Sequence, residues 1–275
     1  MTDQALLIDN GNDVAARRAH ESDLTPQGLV VDLLIALDEL LVSPPRCALD
    51  PCAGGGVWGQ AERELWPETR RIGVDVRAFE TPAGRHYDRF SAGVDCRDAI
   101  RCPAPSLALD IDSAITNPAF SLAFERGDGK GKARIFRPSL LDELREHLPR
   151  CRLVAFLGTS QTGQRGEARE VFADHPPLLG LRATAPAACR GGSMTDSRDY
   201  ELWVFGDPDL FVIADALRAL PAGAWLTRNV PAVSTCGACY RWEGGRPGDS
   251  DLSPALVARL HRARDRRAGD PGGAA

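Results

Sequence analysis

Short apolar segments alternate with segments of helical periodicity along most of the chain. We predict Thr25 as the N-cap of a helix and Pro26 as its first residue, after which leucine and valine recur at helical spacing as far as Leu41. Ser43-Pro44-Pro45 ends this helix, and a short apolar strand over 47–50 follows. We predict further helices over 57–65, 139–147 and 208–220, and further strands over 71–75, 93–95, 107–116, 151–157, 181–188 and 200–205.

Strands that alternate with helices indicate a parallel sheet with crossover helices on its faces. The pattern therefore predicts an α/β fold with a doubly wound sheet. Four polar residues, Asp50, Asp75, Asp95 and Asn117, fall at the carboxyl ends of predicted strands. Because ligands of such sheets bind beyond the carboxyl ends of the strands, these four residues are candidates for a binding site.

The last third of the chain is less regular. A polar loop without a helix joins the strands predicted over 181–188 and 200–205, which indicates an antiparallel hairpin at the end of the sheet. Glycine, proline and arginine dominate the C-terminal part, which includes a basic helical segment over 253–267. We predict a flexible N-terminal arm over 1–22, one domain over 23–220 and an irregular, basic and partly disordered C-terminal extension over 221–275.

The composition is that of a globular protein, with 43% hydrophobic and 26% charged residues in a chain of 275. No apolar segment has the length of a membrane span, and residues 1–12 lack the features of a secretory signal, so we expect a cytoplasmic protein. Its eight cysteines are then expected to be reduced. Cys236 and Cys239 have half of a zinc-site spacing, but no second pair accompanies them, so a turn with two thiols is favoured over a metal site.

The glycine-rich turn after the first strand has two interpretations. Gly54, Gly56 and Gly59 have the GxGxxG spacing of a dinucleotide site, and Asp75 follows where an acid could bind ribose hydroxyls. In that motif, however, the glycines follow the strand at once, whereas here Asp50-Pro51 intervenes and would repel a pyrophosphate. S-adenosylmethionine has a sulfonium and an α-amino group but no phosphate. Asp50 would accept from its amino group, directly or through water, and Asp75 would bind its ribose.

The segment Asn117-Pro118-Ala119-Phe120, after the fourth predicted strand, favours the second interpretation. Its amide side chain and stiff backbone carbonyl are acceptors for the two N–H bonds of an exocyclic amine. Such acceptors localise the lone pair of a weakly nucleophilic amine and direct it at a methyl sulfonium, without a strong general base. Phe120 would stack on the base, as enzymes that act on an extruded base require.

Taken in order, these motifs resemble those of class I S-adenosylmethionine-dependent methyltransferases that modify amino groups, especially small phage-type adenine-N6 DNA methyltransferases. Asp50-Pro51-Cys52-Ala53-Gly54-Gly55-Gly56 is similar to their Asp-Pro-x-x-Gly-x-Gly cofactor motif, and 117–120 to their Asn-Pro-Pro-Phe/Tyr motif. Thr25-Pro26 resembles a motif that closes over the methionine of the cofactor. Residues 195–205 are similar to a loop and strand near the C-terminus of these enzymes, so the resemblance covers about residues 22–206.

This resemblance implies a Rossmann-like, seven-stranded methyltransferase sheet with a reversed last strand, and S-adenosyl-L-methionine as the cofactor. It implies methyl transfer to an exocyclic amine of a nucleic-acid base, adenine-N6 in DNA above all. It also implies catalytic roles for Asn117, Pro118 and Phe120. The residues implied to bind the cofactor are Thr25, Pro26, Asp50, Pro51, Cys52, Ala53, Gly54, Gly56, Asp75, Val76 and Asp95, with Asp98 as the alternative to Asp95 near the adenine.

The charge distribution bears on the expected partner. A net charge of −5 argues against a general nucleic-acid binder. The segment 126–137, however, contains five basic residues and one acid and begins shortly after the proposed catalytic motif. A cationic loop at the mouth of an active site suits phosphate contact, so we predict contact with a nucleic acid, and the resemblance implies that it is double-stranded DNA. The residues predicted to contact it are Arg126, Lys130, Lys132 and Arg134.

One position departs from the pattern of the family. Ala119 stands where the family has a second proline. The Pro118 carbonyl is retained, so the chemistry is permitted, but the loop loses rigidity. The sequence leaves open three alternatives: an RNA or protein-glutamine methyltransferase, a non-catalytic binding subunit with a methyltransferase fold, and an oxidoreductase that uses the GxGxxG spacing.

Overall fold

A computed structural model describes residues 25–76, 82–101, 110–118, 123, 138–159, 166–183, 200–231 and 251–269. Its strands are β1 (Cys47–Asp50), β2 (Arg70–Asp75), β3 (Arg89–Ala92), β4 (Ser113–Thr116), β5 (Leu153–Thr159), β6 (Leu179–Ala183), β7 (Tyr200–Gly206) and β8 (Leu226–Val230). Its helices are α1 (Gln27–Asp38), α2 (Val57–Leu65), α3 (Cys96–Arg101), α4 (Leu140–His147), α5 (Gly166–Asp174), α6 (Ala214–Arg218) and α7 (Pro254–Gly269), with short 3-10 helices at Pro82–His86 and Pro208–Leu210.

The strands of the described residues form one mixed sheet in the order β3-β2-β1-β4-β5-β7-β6-β8. β7 runs antiparallel to β5 and β6, and the other neighbouring strands pair in parallel. The predicted α/β class is therefore confirmed. The number of strands differs from the expected seven, because Leu226–Val230 adds an eighth strand beside β6, and the reversed strand is consequently not the last.

The strand order reverses between β1 and β4. From β1 the chain proceeds outward to β2 and β3. From β4 it continues in the opposite direction to β5, β6 and β8, and β7 is inserted between β5 and β6. At such a switch point the connections after the two central strands diverge, which opens a crevice at their carboxyl ends. The residues that end β1 and β4, Asp50 and Thr116, therefore lie where a ligand of a doubly wound sheet is expected.

Both faces of the sheet are buried, and β5 shows this with five consecutive buried apolar residues, Leu153 to Leu157. In β5, Leu153, Ala155 and Leu157 belong to one core, whereas Val154 and Phe156 belong to the other. The first core includes residues of α1, α2 and α7, and the second includes residues of α3, α4 and α5. Packing from both sides fixes the strands and, with them, the positions of the polar residues at their ends.

The third strand and the last predicted helix lie elsewhere than the sequence predicts. β3 covers Arg89–Ala92 rather than 93–95, and Asp95 consequently precedes α3 instead of ending a strand. The helix predicted over 208–220 is divided into the 3-10 turn Pro208–Leu210 and the short helix α6. The helix predicted over 139–147 is present from Leu140, and Ser139 caps it through a capping box with Asp142.

Part of the predicted C-terminal extension is packed into the domain. In addition to β8, the helix α7 buries Leu256, Leu260 and Ala263 against the core that α1 and α2 cover. The segment before α7 is also attached, because Gln60 accepts a hydrogen bond from the backbone N–H of Leu252 at 2.8 Å. Although α7 has 16 residues, no helix in the described part of the chain is long and apolar enough to cross a membrane.

The burial of α7 leads to a prediction about stability. Leu260 is 0% exposed, so Leu260→Ala removes a fully buried side chain and should lower the free energy of unfolding by about 2–5 kcal/mol. Val212, which is 50% exposed, provides a control, and Val212→Ala should change this free energy by less than about 0.5 kcal/mol. Denaturant unfolding of both variants measures the difference. If Leu260→Ala and Val212→Ala have the same free energy of unfolding, α7 is not part of the cooperative unit.

Candidate active site

Asp50, at the end of β1, is a buried acid of the crevice, with 1% of its surface exposed. The Tyr87 hydroxyl donates to its Oδ2 at 2.6 Å, and the Thr116 hydroxyl donates to its Oδ1 at 2.5 Å. The backbone N–H of Cys52 donates to Oδ1 as well, at 3.2 Å. These three donors lie on the chain after the 3-10 helix, on β4 and in the glycine-rich turn. One carboxylate therefore joins three separate segments at the switch point.

Burial controls the protonation of this group. Desolvation raises the pKa of Asp50 from 3.8 to about 6, although the hydrogen bonds from Thr116, Tyr87 and Cys52 act in the opposite direction. Glu62 of α2 is also buried, and burial together with the charge of Asp50 raises its pKa well above the ordinary value. The site thus holds acids whose charged forms are disfavoured, as is common for functional groups.

The ring of Tyr87 fills a slot between α2 and β2 that two glycines leave open. A Cβ atom on Gly59 would lie 2.5 Å from Tyr87 Cε1, and one on Gly73 would lie 2.7 Å from Tyr87 Cδ2. Gly59 is the third glycine of the GxGxxG spacing, so its presence is explained by the tyrosine ring. Tyr87 was not among the residues that the sequence motifs identified. The one local sign of it is the isolated glycine within β2, which is typical of a close approach by another group.

The glycine-rich turn lies against the end of β2. Gly54 and Gly56 have φ values of 55° and 80°, which favour glycine. The N–H of Gly54 donates to Asp75 Oδ2 at 2.8 Å, and the N–H of Ala53 donates to the Val74 carbonyl at 2.9 Å. The N–H of Gly56 donates to the carbonyl of Ala53 at 2.7 Å. Three backbone donors of the turn are therefore already bonded within the protein.

Asp75 and Val76 form the side of the crevice beyond β2. Asp75 ends β2 as predicted and is 6% exposed. Val76, the next residue, is one of the exposed large hydrophobic residues, at 45%. A carboxylate followed by an exposed apolar side chain offers acceptors for hydroxyl groups and a surface for a flat ring.

The two motifs around Thr25 and Asn117, 92 positions apart in the chain, meet in the structure. Asn117 follows β4, and its Nδ2 donates to Thr25 Oγ1 at 2.7 Å. Thr25 was expected to be the N-cap of the first helix, but α1 begins at Gln27 and Pro26 occupies the N-cap position without a side-chain cap. The threonine hydroxyl consequently bonds Asn117, and this fixes the orientation of the Asn117 amide. Pro118 is buried beside it.

Asp95 lies at the start of α3. Its Oδ1 accepts from the backbone N–H of Arg97 at 2.9 Å, so its carboxylate caps the helix. Asp98, the alternative candidate, lies in the first turn of the same helix. Cys52 of the glycine-rich turn contacts α3 as well, through a hydrogen bond with Cys96. This hydrogen bond and burial raise the pKa of the Cys52 thiol well above its usual value. The helix α3 therefore closes the side of the crevice near β3.

Within the residues described, no three His, Cys, Asp or Glu side chains are grouped so that they could hold a metal ion.

Several predicted site residues lie outside the described part of the chain. The predictions for Ala119, Phe120, Arg126, Lys130, Lys132, Arg134, Cys236 and Cys239 all fall outside the described residues.

The raised pKa of Asp50 predicts a pH dependence of stability. Because the folded state takes up a proton that the unfolded state has lost, the contribution of Asp50 is complete below pH 4 and is lost as the pH rises through about 6. Two pKa units correspond to about 3 kcal/mol. The unfolding free energy of the wild type should therefore fall by about this much between pH 4 and 7 because of Asp50. In Asp50→Asn, whose amide does not titrate, this part of the pH dependence should be absent. Denaturant unfolding at several pH values measures it, and a difference independent of pH would contradict the assignment.

Comparisons with known proteins give a weak likeness. No protein-family model matches the chain, and no curated protein matches it. It is similar to a structure from Listeria monocytogenes described as a class I S-adenosylmethionine-dependent methyltransferase, with 14% identity, a TM-score of 0.49 and coverage of 89% of this chain and 72% of that one. It is also similar to human Methyltransferase-like protein 13 in complex with SAH, with 11% identity, a TM-score of 0.35 and coverage of 89% and 90%. Likenesses this distant leave the function to be inferred from the site itself.

Proposed function

We propose that the protein is an S-adenosylmethionine-dependent methyltransferase that methylates an exocyclic amine of a nucleic-acid base, above all adenine-N6 in DNA. The hydrogen bond between Asn117 and Thr25 carries this proposal. It joins, at the switch point of the sheet, the amide expected to hold the target amine and the threonine expected to close over the methionine. The acid and glycine-rich turn expected to hold the rest of the cofactor lie at the adjacent strand ends.

The hydrogen bonds of the glycine-rich turn favour a cofactor without phosphate. The N–H of Gly54 is bonded to the Asp75 carboxylate, and the N–H of Cys52 is bonded to Asp50. Two carboxylates at this turn would repel a pyrophosphate but suit a cationic ligand. Asp75 would accept from the ribose hydroxyls, and the exposed side chain of Val76 would cover one face of the adenine. The oxidoreductase interpretation is therefore disfavoured.

Asp50 takes a different role from the one first expected. Its carboxylate is buried and accepts from Tyr87, Thr116 and Cys52, so direct contact with the amino group of the cofactor is not favoured. We assign it a positioning role, because it accepts a hydrogen bond from the hydroxyl of Thr116, which directly precedes Asn117. Asp50 would thereby fix the end of β4 and the amide that follows it.

Asn117 would hold the target amine. The Nδ2 atom of Asn117 donates to Thr25, and its Oδ1 atom would accept a hydrogen bond from an N–H of the amine. The backbone carbonyl of Pro118 would accept the second N–H. Bound S-adenosylmethionine would supply the electrophilic methyl group, and these acceptors would direct the lone pair of the amine toward it. Positioning and electrostatics of this kind need no strong general base.

Asp75→Ala should weaken cofactor binding with the fold retained. Loss of hydrogen bonds from ribose hydroxyls to a carboxylate, at about 1.5–3 kcal/mol each, corresponds to an affinity at least about tenfold lower. Titration calorimetry with S-adenosylmethionine measures this change. Asp110→Ala serves as the control, because Asp110 is an exposed carboxylate that precedes β4, on the side of the sheet where the parallel strands begin, whereas Asp75 lies where β2 ends. Equal affinity of Asp75→Ala and wild type would contradict the ribose contact.

Asn117→Ala should abolish methyl transfer while cofactor binding is retained. Removing one preorganised hydrogen-bonding group from an active site lowers kcat by about 100-fold or more. Transfer of labelled methyl groups from S-adenosylmethionine to unmethylated duplex DNA measures activity, with RNA and glutamine-containing peptides as parallel substrates. Transfer to RNA or peptide alone would redirect the substrate assignment. Undiminished transfer by Asn117→Ala would refute the catalytic role, and no transfer by wild type to any substrate would favour a binding subunit.

A further inference from the structure

A groove of 390 Å³ lies on the flank of the domain, away from the crevice. Its walls are α1, the edge strand β8 and the last helix α7, and apolar side chains of α1 and β8 line part of it. Its charged lining is unusually rich in arginine for an acidic chain. The charged residues that line it are Asp32, Glu39, Arg228, Arg259, Arg262 and Arg266.

Two of the four arginines pair with carboxylates of α1 and of its C-cap residue, Glu39. Arg259 pairs with Asp32 at 2.5 Å, and Arg228 pairs with Glu39 at 2.5 Å. The first pair is largely buried, with 19% of the Arg259 side chain and 3% of the Asp32 side chain exposed. The Nη1 atom of Arg259 is buried and has no hydrogen-bond partner among the described residues. A buried donor without an acceptor is costly, so an additional acceptor at this position would be stabilising.

The other two arginines, Arg262 and Arg266, supply the excess charge. They are four residues apart on α7, which places them on the same side of the helix. Both are exposed, and neither has a carboxylate within ion-pair distance among the residues described. Four guanidinium groups against two carboxylates leave the groove with a net charge of +2 in a chain whose net charge is −5.

We propose that this groove binds a phosphate group. Guanidinium groups present paired N–H donors that match phosphate oxygens, and they remain charged at any physiological pH. Arg262 and Arg266 would contact the phosphate oxygens, while Arg228 and Arg259, already neutralised by Glu39 and Asp32, form the sides of the site. Binding of the phosphate would add negative charge beside Arg262 and Arg266, the two arginines of the groove that its two carboxylates do not balance.

The position of the groove favours the backbone of a nucleic acid as the source of the phosphate. Arg259 pairs with Asp32 and Arg267 pairs with Asp38, so the segment between these two arginines runs beside 32–38 of α1. Arg262 and Arg266 therefore lie about 10–20 Å along the helical direction from Thr25. This separation corresponds to about three to six nucleotides of a duplex. The assignment to a nucleic acid rests on the proposed function, whereas the phosphate site itself does not depend on methyl transfer.

The test is the salt dependence of binding by the full-length chain. We compare wild type with the double variant Arg262→Ala/Arg266→Ala, using labelled duplex DNA between about 50 and 200 mM salt. Loss of two phosphate contacts should weaken binding at low salt and reduce the slope of log Kd against log salt by about 2. The matched control is Arg46→Ala/Arg150→Ala, which removes two exposed arginines that precede the central strands β1 and β5 and do not line the groove, and it should leave the slope unchanged. Thermal unfolding checks that both variants are folded.

Inorganic tripolyphosphate distinguishes the source of the phosphate. If duplex DNA does not bind but tripolyphosphate does, and only the groove variant loses it, the site is one for a free phosphate compound. If the groove variant binds both probes as wild type does, or if neither probe binds wild type, the proposal is overturned. Methyl transfer is measured separately. Its absence together with groove-dependent phosphate binding would refute the proposed function and leave the site standing.

Discussion

The buried carboxylate of Asp50 is the group on which the arrangement of the crevice depends. A carboxylate removed from water must be hydrogen-bonded or protonated, and here Tyr87, Thr116 and Cys52 all donate to it. Each donor comes from a different segment, so satisfying one acid fixes β4, the glycine-rich turn and the chain that leads into β3. Asn117 follows Thr116 directly, and its position is therefore set by a group that it does not touch.

The same constraint explains the glycines better than a ligand does. The Tyr87 hydroxyl reaches Asp50 only if its ring passes between α2 and β2, and side chains at Gly59 or Gly73 would fill that space. The spacing that resembles a dinucleotide motif thus has two different causes. Gly54 and Gly56 provide positive φ values in the turn, whereas Gly59 provides room for an aromatic ring.

The sequence predicted what depends on local pattern and failed where distant contacts decide. The α/β class and the location of Asp50, Asp75 and Asn117 at strand ends follow from periodicity and from polar residues that end apolar segments. Tyr87 could not be identified, because its role is set by an acid 37 positions away. The helix α7 was predicted, but its packing into the core was not. Its three buried apolar residues form a narrow stripe among many arginines, and only the positions of α1 and α2 show that this stripe is covered.

The helix α1 connects the two regions to which we assign function. Its first turn is attached to the segment before α7, since Gln27 donates to the carbonyl of Asp251 at 3.1 Å. Its last residue, Asp38, accepts from the indole of Trp66 at 2.7 Å and pairs with Arg267 of α7. A helix fixed at both ends and buried along most of its length moves as a rigid unit. A phosphate held beside α1 and α7 would therefore keep a constant distance from Thr25, and the base presented to Asn117 would be selected by its spacing from that phosphate.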